Sequence, residues 1–481
     1  MGMIENTQET LAKAMSGVKD AQQTMNKAID TNTGLDYYNL EAPAKQLVPF
    51  LSPLRNIIPR KTSKGGTSVH WKAITDVRPQ GKATTVEKHR GNGMKYTVED
   101  KLAAFKILGL QDAVTFEAEA AGRNFQDVKT TSATNLLLSL MTQEEKYILG
   151  GNTQSLGEVA TPIATAQTNA KSTVTAGAYS VKVAALTLVA ANRVARNEQL
   201  ANMELGVAAT DANGEEITGA YDGVTNASAA ASVTVSAGES ITATVTPVKG
   251  ALAYAWFVGK AGSETLQIVT TNSTVELTAI VDGGSAAPTA DGSGDAMAFD
   301  GIIPQIINGG GLYYDLGNSQ FSAAAGGIKE LDEINSRLFN KYKNGATRYL
   351  VSEQVAKDIT SAIVANQGAP TLFVNNSEKN SITGNYMVTN YVNKSYGGQP
   401  IQIMVHPWLP DGTMVVMCDE VPYPNANVPS VLEMECGYDY RQIEYARTTP
   451  QYEYEIRCYE ALKHYFPACQ AIITNIKSGV A

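Results

Sequence analysis

Long apolar runs are missing from this chain. No stretch of about 18 apolar residues occurs in its 481 positions, so no membrane span is expected. The first residues lack a basic segment followed by an apolar core, so no secretion signal is expected either. Cysteine is scarce. Cys418, Cys436, Cys458 and Cys469 are the whole set, all in the last quarter and without CxxC spacing. That pattern reads as free thiols in a reducing cytosol. The histidines, His70, His89, His406 and His464, stand apart, with no HExxH. GxSxG, a P-loop and a dinucleotide fingerprint are missing too. No enzyme activity is expected, and no catalytic, cofactor-binding or metal-ligating residue. Basic charge is in deficit: the formal net charge is −9, which argues against a dedicated nucleic-acid binder.

What is present begins with the stretch from Gln111 to Gly151. Val114, Ala118, Ala121, Phe125, Val128, Leu136 and Leu140 fall on one helical stripe. Asp112, Glu117 and Glu119 suit the positive end of a helix dipole, and Gly150–Gly151 supplies the stop. The spacing predicts one helix of roughly 35 residues, about 50 Å long. A rod of that length needs something long to lie against.

Upstream, Leu11, Met15, Val18, Met25 and Ile29 predict an amphipathic helix within residues 1–30 that docks on a partner or stays mobile. Pro43, Pro49, Pro53 and Pro59 then favour extended chain. The apolar residues Val48, Phe50, Leu51 and Leu54 between them imply an arm buried against something. Residues 61–110 read as a long hairpin, with strands at Thr67–Ile74 and Lys95–Leu110. From Arg55 to Lys106 there are twelve basic residues against four acidic ones, a local balance of +8. From Asp411 to Glu460 there are ten acidic residues against three basic, a balance of −7.

A two-stranded hairpin is marginal alone in water. A basic one prefers an acidic surface, and charge complementarity sets register and orientation. The expectation is that Lys72, Arg78, Lys82, Lys88 and Arg90 of one copy lie across Glu433, Glu435, Asp439, Glu444, Glu453 and Glu455 of another. The alternatives are a nucleic-acid clamp that stacks bases on Trp71 and Tyr96, and a solvated loop without function.

Residues 157–298 change composition to Ala, Thr, Ser, Val and Gly, with short alternating runs around Trp256. This predicts an inserted β-sandwich. Ala253-Tyr254-Ala255-Trp256-Phe257 resembles the central strand of bacterial immunoglobulin-like domains. Asp291–Asp295 is too short for a calcium loop, and Gly309–Gly311 reads as a turn rather than a phosphate cradle. Residues 299–430 follow with helices at Gly326–Lys341 and Glu353–Asn366, and strands at Thr347–Ser352, Tyr386–Tyr391, Pro400–Val405 and Thr413–Cys418. Strands from Val431 to Tyr459 and at Ala468–Ile476 close the chain.

Arm, hairpin, long helix, α/β region and returning strands, in that order, resemble the major capsid protein of tailed phages, the Hong Kong 97-type fold. The resemblance covers about residues 35–155 and 299–481. Its local carriers are Val48-Pro49-Phe50-Leu51-Ser52-Pro53-Leu54, Tyr147-Ile148-Leu149-Gly150-Gly151 and Ile401-Gln402-Ile403-Met404-Val405-His406-Pro407. It implies an α+β chain divided as N-terminal helix and arm (1–60), extended loop (61–110), spine helix (111–156), inserted immunoglobulin-like sandwich (157–298), axial domain (299–430) and returning strands of the peripheral domain (431–481). It implies self-assembly into hexamers and pentamers of an icosahedral head. The assembly would take place in the bacterial cytoplasm, with a separate scaffolding protein and a portal. DNA would be held inside the virion by weak contacts. Residues 1–30 leave no room for a built-in scaffold of about a hundred residues. Lys72, Lys82 and Lys88 lie in the loop through which some members of that family weld subunits by a lysine, and nothing in the sequence singles one of them out. A surface adhesin or tail component is the alternative function.

Overall fold

The computed structural model describes residues 47, 49–123, 125–195, 205, 208–210, 216–281, 283–324, 327–366, 387–421, 423 and 427–480. The helix expected within 1–30 and the arm residue Val48 lie outside these. Residues 116–131 group with the first 48 residues in one compact unit, and residues 49–115 and 132–481 form the other.

The described chain mixes helices and strands. It begins with α1 (Pro53–Ile57), whose proline occupies the first turn, where a missing N–H is harmless. β1 (Arg60–Thr62) precedes a long antiparallel ribbon of β2 (Ser68–Pro79) and β3 (Met94–Ala104). The ribbon ends earlier than the sequence pattern suggests. Phe105 is buried against Tyr459, with ring centroids 5.0 Å apart, and there the chain changes sheets. Beyond it runs β4 (Lys106–Thr115).

The single helix expected over 111–151 is therefore three elements. Residues 111–115 belong to β4, in which Leu108 and Val114 are buried at an even spacing, the period of a strand. α2 (Phe116–Gly122) buries no side chain, and α3 (Val128–Gly150) starts afresh. Asp127 caps α3: its Oδ1 accepts from Thr130 N at 3.1 Å and its Oδ2 from Thr130 Oγ1 at 2.6 Å. The spine is thus 23 residues long, about 35 Å.

β5 (Ile163–Thr168), β6 (Gly177–Leu186), α4 (Leu188–Ala195), β7 (Ala208–Thr210), β8 (Glu216–Tyr221), β9 (Ala231–Val235), β10 (Glu239–Thr244), β11 (Ala253–Gly259), β12 (Thr265–Thr270) and β13 (Thr274–Leu277) follow. They make a three-stranded sheet, β13-β10-β5, and a four-stranded sheet, β12-β11-β6-β9. Val181, Val183, Ile241, Ala243, Trp256 and Val275 from both sheets share one core. The other face of the four-stranded sheet is covered as well, with Ala255 and Phe257 against Ala190 and Val194 of α4. β11 is consequently apolar on both faces, which explains its unbroken run of buried apolar residues from Ala253 to Val258.

The two ends of this region lie side by side. Asp295 N donates to Asn152 O at 2.8 Å and Gly301 N to Gly151 O at 2.7 Å. A Cβ on Gly301 would stand 2.5 Å from Tyr147 O, so only glycine fits this approach to the end of α3.

α5 (Ile302–Asn308), β14 (Leu312–Phe321), β15 (Ala323–Ala324), β16 (Gly327–Ile328), α6 (Lys329–Tyr342), β17 (Arg348–Val351), α7 (Glu353–Asn366), β18 (Asn390–Asn393), β19 (Gln399–Val405), β20 (Met414–Met417), β21 (Leu432–Glu444), β22 (Gln451–His464) and β23 (Ala471–Val480) complete the chain. One six-stranded sheet has the order β14-β23-β20-β17-β19-β18. Leu331, Ile334 and Leu338 of α6 and Val355, Ile359 and Ala362 of α7 pack on it. A second sheet, β1-β21-β22-β4, joins the arm end of the chain to its C-terminal hairpin. The final strand does not return to that sheet, as the order of segments had suggested. β23 pairs with β14 in parallel and with β20 antiparallel. Its buried Ile472, Ile473 and Ile476 suit a strand covered on both faces.

Candidate assembly surfaces

The ribbon stands on β22 and its neighbours at one end only. Trp71 meets the Tyr465 ring edge-on at 5.6 Å, and Lys61, just before the ribbon, pairs with Glu433 at 3.6 Å. Farther out its side chains are exposed. Directly opposed residues of an antiparallel pair share a face, so the register sorts them. Leu102 lies opposite His70 and Val98 opposite Ile74. Past an irregularity at Thr75, Tyr96 lies opposite Val77 and Met94 opposite Pro79. All of these are on one face. The face is largely apolar, interrupted by Lys72 opposite Asp100, and open to solvent, with Ile74 61%, Leu102 61% and Tyr96 57% exposed. Trp71, opposite Lys101, is on the other face. Trp71 and Tyr96 therefore cannot stack successive bases on a common surface, which removes the basis of the clamp reading.

The five basic residues singled out from sequence are all exposed. Lys82, Lys88 and Arg90 gather in the loop between β2 and β3, with Lys88 at a φ of 70°. Lys72 lies farther down, opposite Asp100, and Arg78 is bound to Asp76 on its own strand. Lys72, Lys82, Lys88 and Arg90 form no ion pair among the described residues.

The acidic set divides in two. Glu433 and Glu435 are buried around Lys463 Nζ, at 3.2 and 2.7 Å. Burial opposes the Lys463 charge, but its bonds to Glu435 and Tyr465 and the Glu433 charge hold its pKa above the ordinary range. Glu455 is buried too, held by Arg457 and Tyr445. These three are used inside the chain. Asp439 and Glu444 are exposed though paired within the copy, Asp439 with Arg60 at 3.0 Å and Glu444 with Arg447 at 3.7 Å, and Glu453 is half-buried and bonded to Gln451 at 2.6 Å and Thr449 at 3.0 Å.

The arm, too, is partly satisfied within one copy. Leu54, expected in an arm buried against something, is buried in its own molecule; Phe50 is half-buried and Leu51 exposed. Glu145 of α3 is responsible. Its Oε1 accepts from Leu54 N at 2.8 Å and its Oε2 from Arg55 N at 2.7 Å, so it caps the start of α1. His406 Nε2 lies 2.7 Å from Glu145 Oε1, and Trp408 Nε1 donates to Leu51 O at 2.9 Å. The reason is geometric. Prolines stop a long helix but permit one turn, and that turn presents two free N–H groups to a buried carboxylate.

Next to Glu145 lies a charge cluster that sequence reasoning did not identify. Arg60 bonds Glu144, Glu460 Oε2 at 2.9 Å and Asp439 Oδ1 at 3.0 Å. Arg55 Nε is 2.7 Å from Tyr440 Oη and 3.3 Å from Glu144 Oε2. Burial, with the Glu144 charge, pushes Glu460 up to about 8 against the pull of Arg60. Its contacts join residues 84 to 400 positions apart in sequence, so no local pattern could have revealed them.

No protein-family model matches the chain, and no curated protein sequence does. Among solved structures the chain is similar to the capsid of cyanophage A-1(L), at 11% identity and a TM-score of 0.43 over 93% of this chain and 99% of that one. It is also similar to the capsid of Myoviridae phage XM1, at 8% identity and a TM-score of 0.41 over 92% and 97%. An encapsulin complex from Synechococcus elongatus gives 7% identity and a TM-score of 0.40 over 91% and 93%.

Proposed function

We propose that this chain is the major capsid protein of a tailed phage, with copies tiling into a shell through their ribbons. The observation that carries the reading is the ribbon itself: a basic, two-stranded element with a largely apolar face that none of the described residues of its own copy covers. β3 alone spans 11 residues, about 37 Å. Laid across a neighbour, that face leaves water and the basic tip meets the exposed acids Asp439 and Glu444. The contact is heterologous, because ribbon meets body and not ribbon, and such contacts close into rings. Hexamers and pentamers are the rings an icosahedral head requires.

In this reading the sheet β1-β21-β22-β4 with α3 is the peripheral domain, and the six-stranded sheet with α6 and α7 is the axial domain. Residues 157–298 are an immunoglobulin-like sandwich that projects outward from the Asn152–Gly301 junction. The chain assembles in the host cytoplasm with a separate scaffolding protein and a portal. It encloses DNA by confinement and weak contacts.

The test is electron microscopy of the protein produced alone and with its genomic neighbours, beside the variant Lys82→Glu, Lys88→Glu, Arg90→Glu. The wild type forms closed particles. The variant stays a folded monomer, because its altered residues are exposed and unpaired. Normal particles from the variant would refute charge-guided docking. A wild type that stays monomeric or trimeric in every co-expression would refute the shell.

A further inference from the structure

Two cysteines expected to be unrelated free thiols are neighbours. Cys418 Sγ and Cys469 Sγ are 3.5 Å apart, though 51 positions separate them in the chain. Both are buried, at 1% and 0% exposure. The β20–β23 ladder explains the meeting. Met414 pairs with Ile473, Val415 with Ile472 and Val416 with Ala471. Cys418 directly follows β20, and Cys469 ends the 3-10 turn Pro467–Cys469 just before β23, so the two meet where the ladder stops, in the core that also holds Met414, Val416, Ala471 and Ile473. A disulfide S–S bond is about 2.05 Å long, so sulfurs 3.5 Å apart have about 1.5 Å left to close.

We infer that Cys418 and Cys469 form a site of reversible oxidation, joined as a disulfide when the folded protein meets a peroxide. The bond closes a loop containing the whole β21–β22 hairpin. That hairpin carries the footing of the ribbon at Glu433 and Tyr465 and the partners of Arg60 at Asp439 and Glu460. Oxidation fastens it to the six-stranded sheet at its base.

The chemistry balances with hydrogen peroxide as oxidant. The Cys469 thiolate attacks one peroxide oxygen; the O–O bond breaks, hydroxide leaves and takes up the proton lost by the thiol, and a sulfenic acid and one water result. The Cys418 sulfur then attacks the Cys469 sulfur. The S–S bond forms, the S–O bond breaks, and the hydroxide leaves as a second water with the Cys418 proton. Two thiols lose two electrons in total and the peroxide gains them. The first step belongs to Cys469 on two grounds. Cys418 stands against its sulfur and lowers its pKa, and Asn344 Nδ2 adds a donor at 3.6 Å. Cys418 is held as the thiol by the Cys469 contact and by burial. The other cysteines, Cys436 and Cys458, are buried on separate strands of the second sheet, and burial raises both of their pKa values.

The test uses the full chain, reduced with a phosphine and then exposed to hydrogen peroxide while folded. Thiols are counted after denaturation, and linked peptides are mapped. The expected count falls from four to two, the linked peptides contain Cys418 and Cys469, and the thermal midpoint rises by several degrees until reductant is added back. Cys436→Ser lowers the starting count to three and still loses two. Cys418→Ser and Cys469→Ser each remove the linked peptide; should either fail to fold, the wild-type peptide map decides alone. A count that stays at four overturns the inference. So does a link through Cys436 or Cys458, a link between copies, or conversion to sulfinic acid without a bridge. A role for the bond in hardening a shell after release from a reducing cytoplasm rests on the capsid reading. The thiol count needs no particles, so the two can fail separately.

Discussion

At the scale of the residue, Glu460 and His464, four positions apart on β22, pull stability in opposite directions with pH. Burial beside Glu144 raises Glu460 from an ordinary 4.5 to about 8. Between those values the folded chain keeps a proton that the unfolded chain gives up. The stabilisation is complete below about 4.5 and is lost as pH rises through about 8. His464 is the reverse. Burial holds its imidazole neutral down to about 4 instead of 6.5. Stability is therefore complete above 6.5 and is lost as pH falls through 4. Glu460→Gln keeps an acceptor for Arg60 Nη2 and removes the titration. Thermal midpoints measured from pH 4 to 9 should lose their alkaline decline in this variant while the acidic decline stays. Curves that remain parallel to wild type would show that Glu460 is ionised in the fold. The neighbouring Glu145 is a structural counterpart. Truncation in Glu145→Ala would strand the N–H groups of Leu54 and Arg55, and should cost about 2–4 kcal/mol in urea unfolding.

At the scale of the element, the ribbon divides folding from assembly. Ile74 and Val98 oppose each other on its open face. Exposed positions contribute little to the stability of a single copy, within about 0.5 kcal/mol. Ile74→Ser with Val98→Ser should thus leave the urea midpoint unchanged and abolish sedimenting particles. A matching loss of stability would mean that this face is covered within the copy. The strand pattern here was legible because alternation survives when one face packs and the other awaits a partner. β9 to β13 answer to the short alternating runs expected around Trp256. Legibility failed at Gln111–Thr115, where Val114 satisfies both a strand of period two and a helix stripe running on to Ala118 and Ala121. Pairing with Gln451–Glu455 of β22 decides the matter, and that partner lies more than 330 positions away. β5 was missed because its core-facing residues are the small Ala164 and Ala166 while its largest side chain, Ile163, is on the exposed face with Thr165 and Gln167, so apolar periodicity does not register. The acidic acceptors were misjudged in part for a related reason. Composition counts charges, but only packing shows that Glu433, Glu435 and Glu455 are already used.

At the scale of the whole molecule, the question is whether residues 157–298 are a guest in another fold or part of its foundation. The junction favours a guest. Its two ends are hydrogen-bonded to each other at Asn152–Asp295 and Gly151–Gly301, and it has sheets and a core of its own. Its polar contacts with the rest are few and replaceable by water. Asn475 Oδ1 accepts from Ser273 N at 2.8 Å, Asn318 Nδ2 donates to Thr274 Oγ1 at 2.7 Å, and Asn192 Nδ2 donates to Trp408 O at 2.9 Å. Asn475 also gives Nδ2 to Asp315 at 2.8 Å, so its left-handed turn keeps one tie after the guest is gone. The apolar cost falls at the end of α3 and at α5, where Leu188 and Leu252 line the same hollow as Leu156, Ile303 and Ile307. Excision of 157–291 with a short Gly–Ser bridge should therefore give a soluble chain that unfolds cooperatively at a lower midpoint. Its six-stranded sheet should stay intact by hydrogen exchange at β17, β20 and β23. If those strands exchange as freely as an unfolded chain, the region is foundation, and the two-part view of the molecule fails. If they stay protected, the variant isolates what the shell needs from what the insertion adds, because ribbon, arm and both remaining sheets are all retained in it.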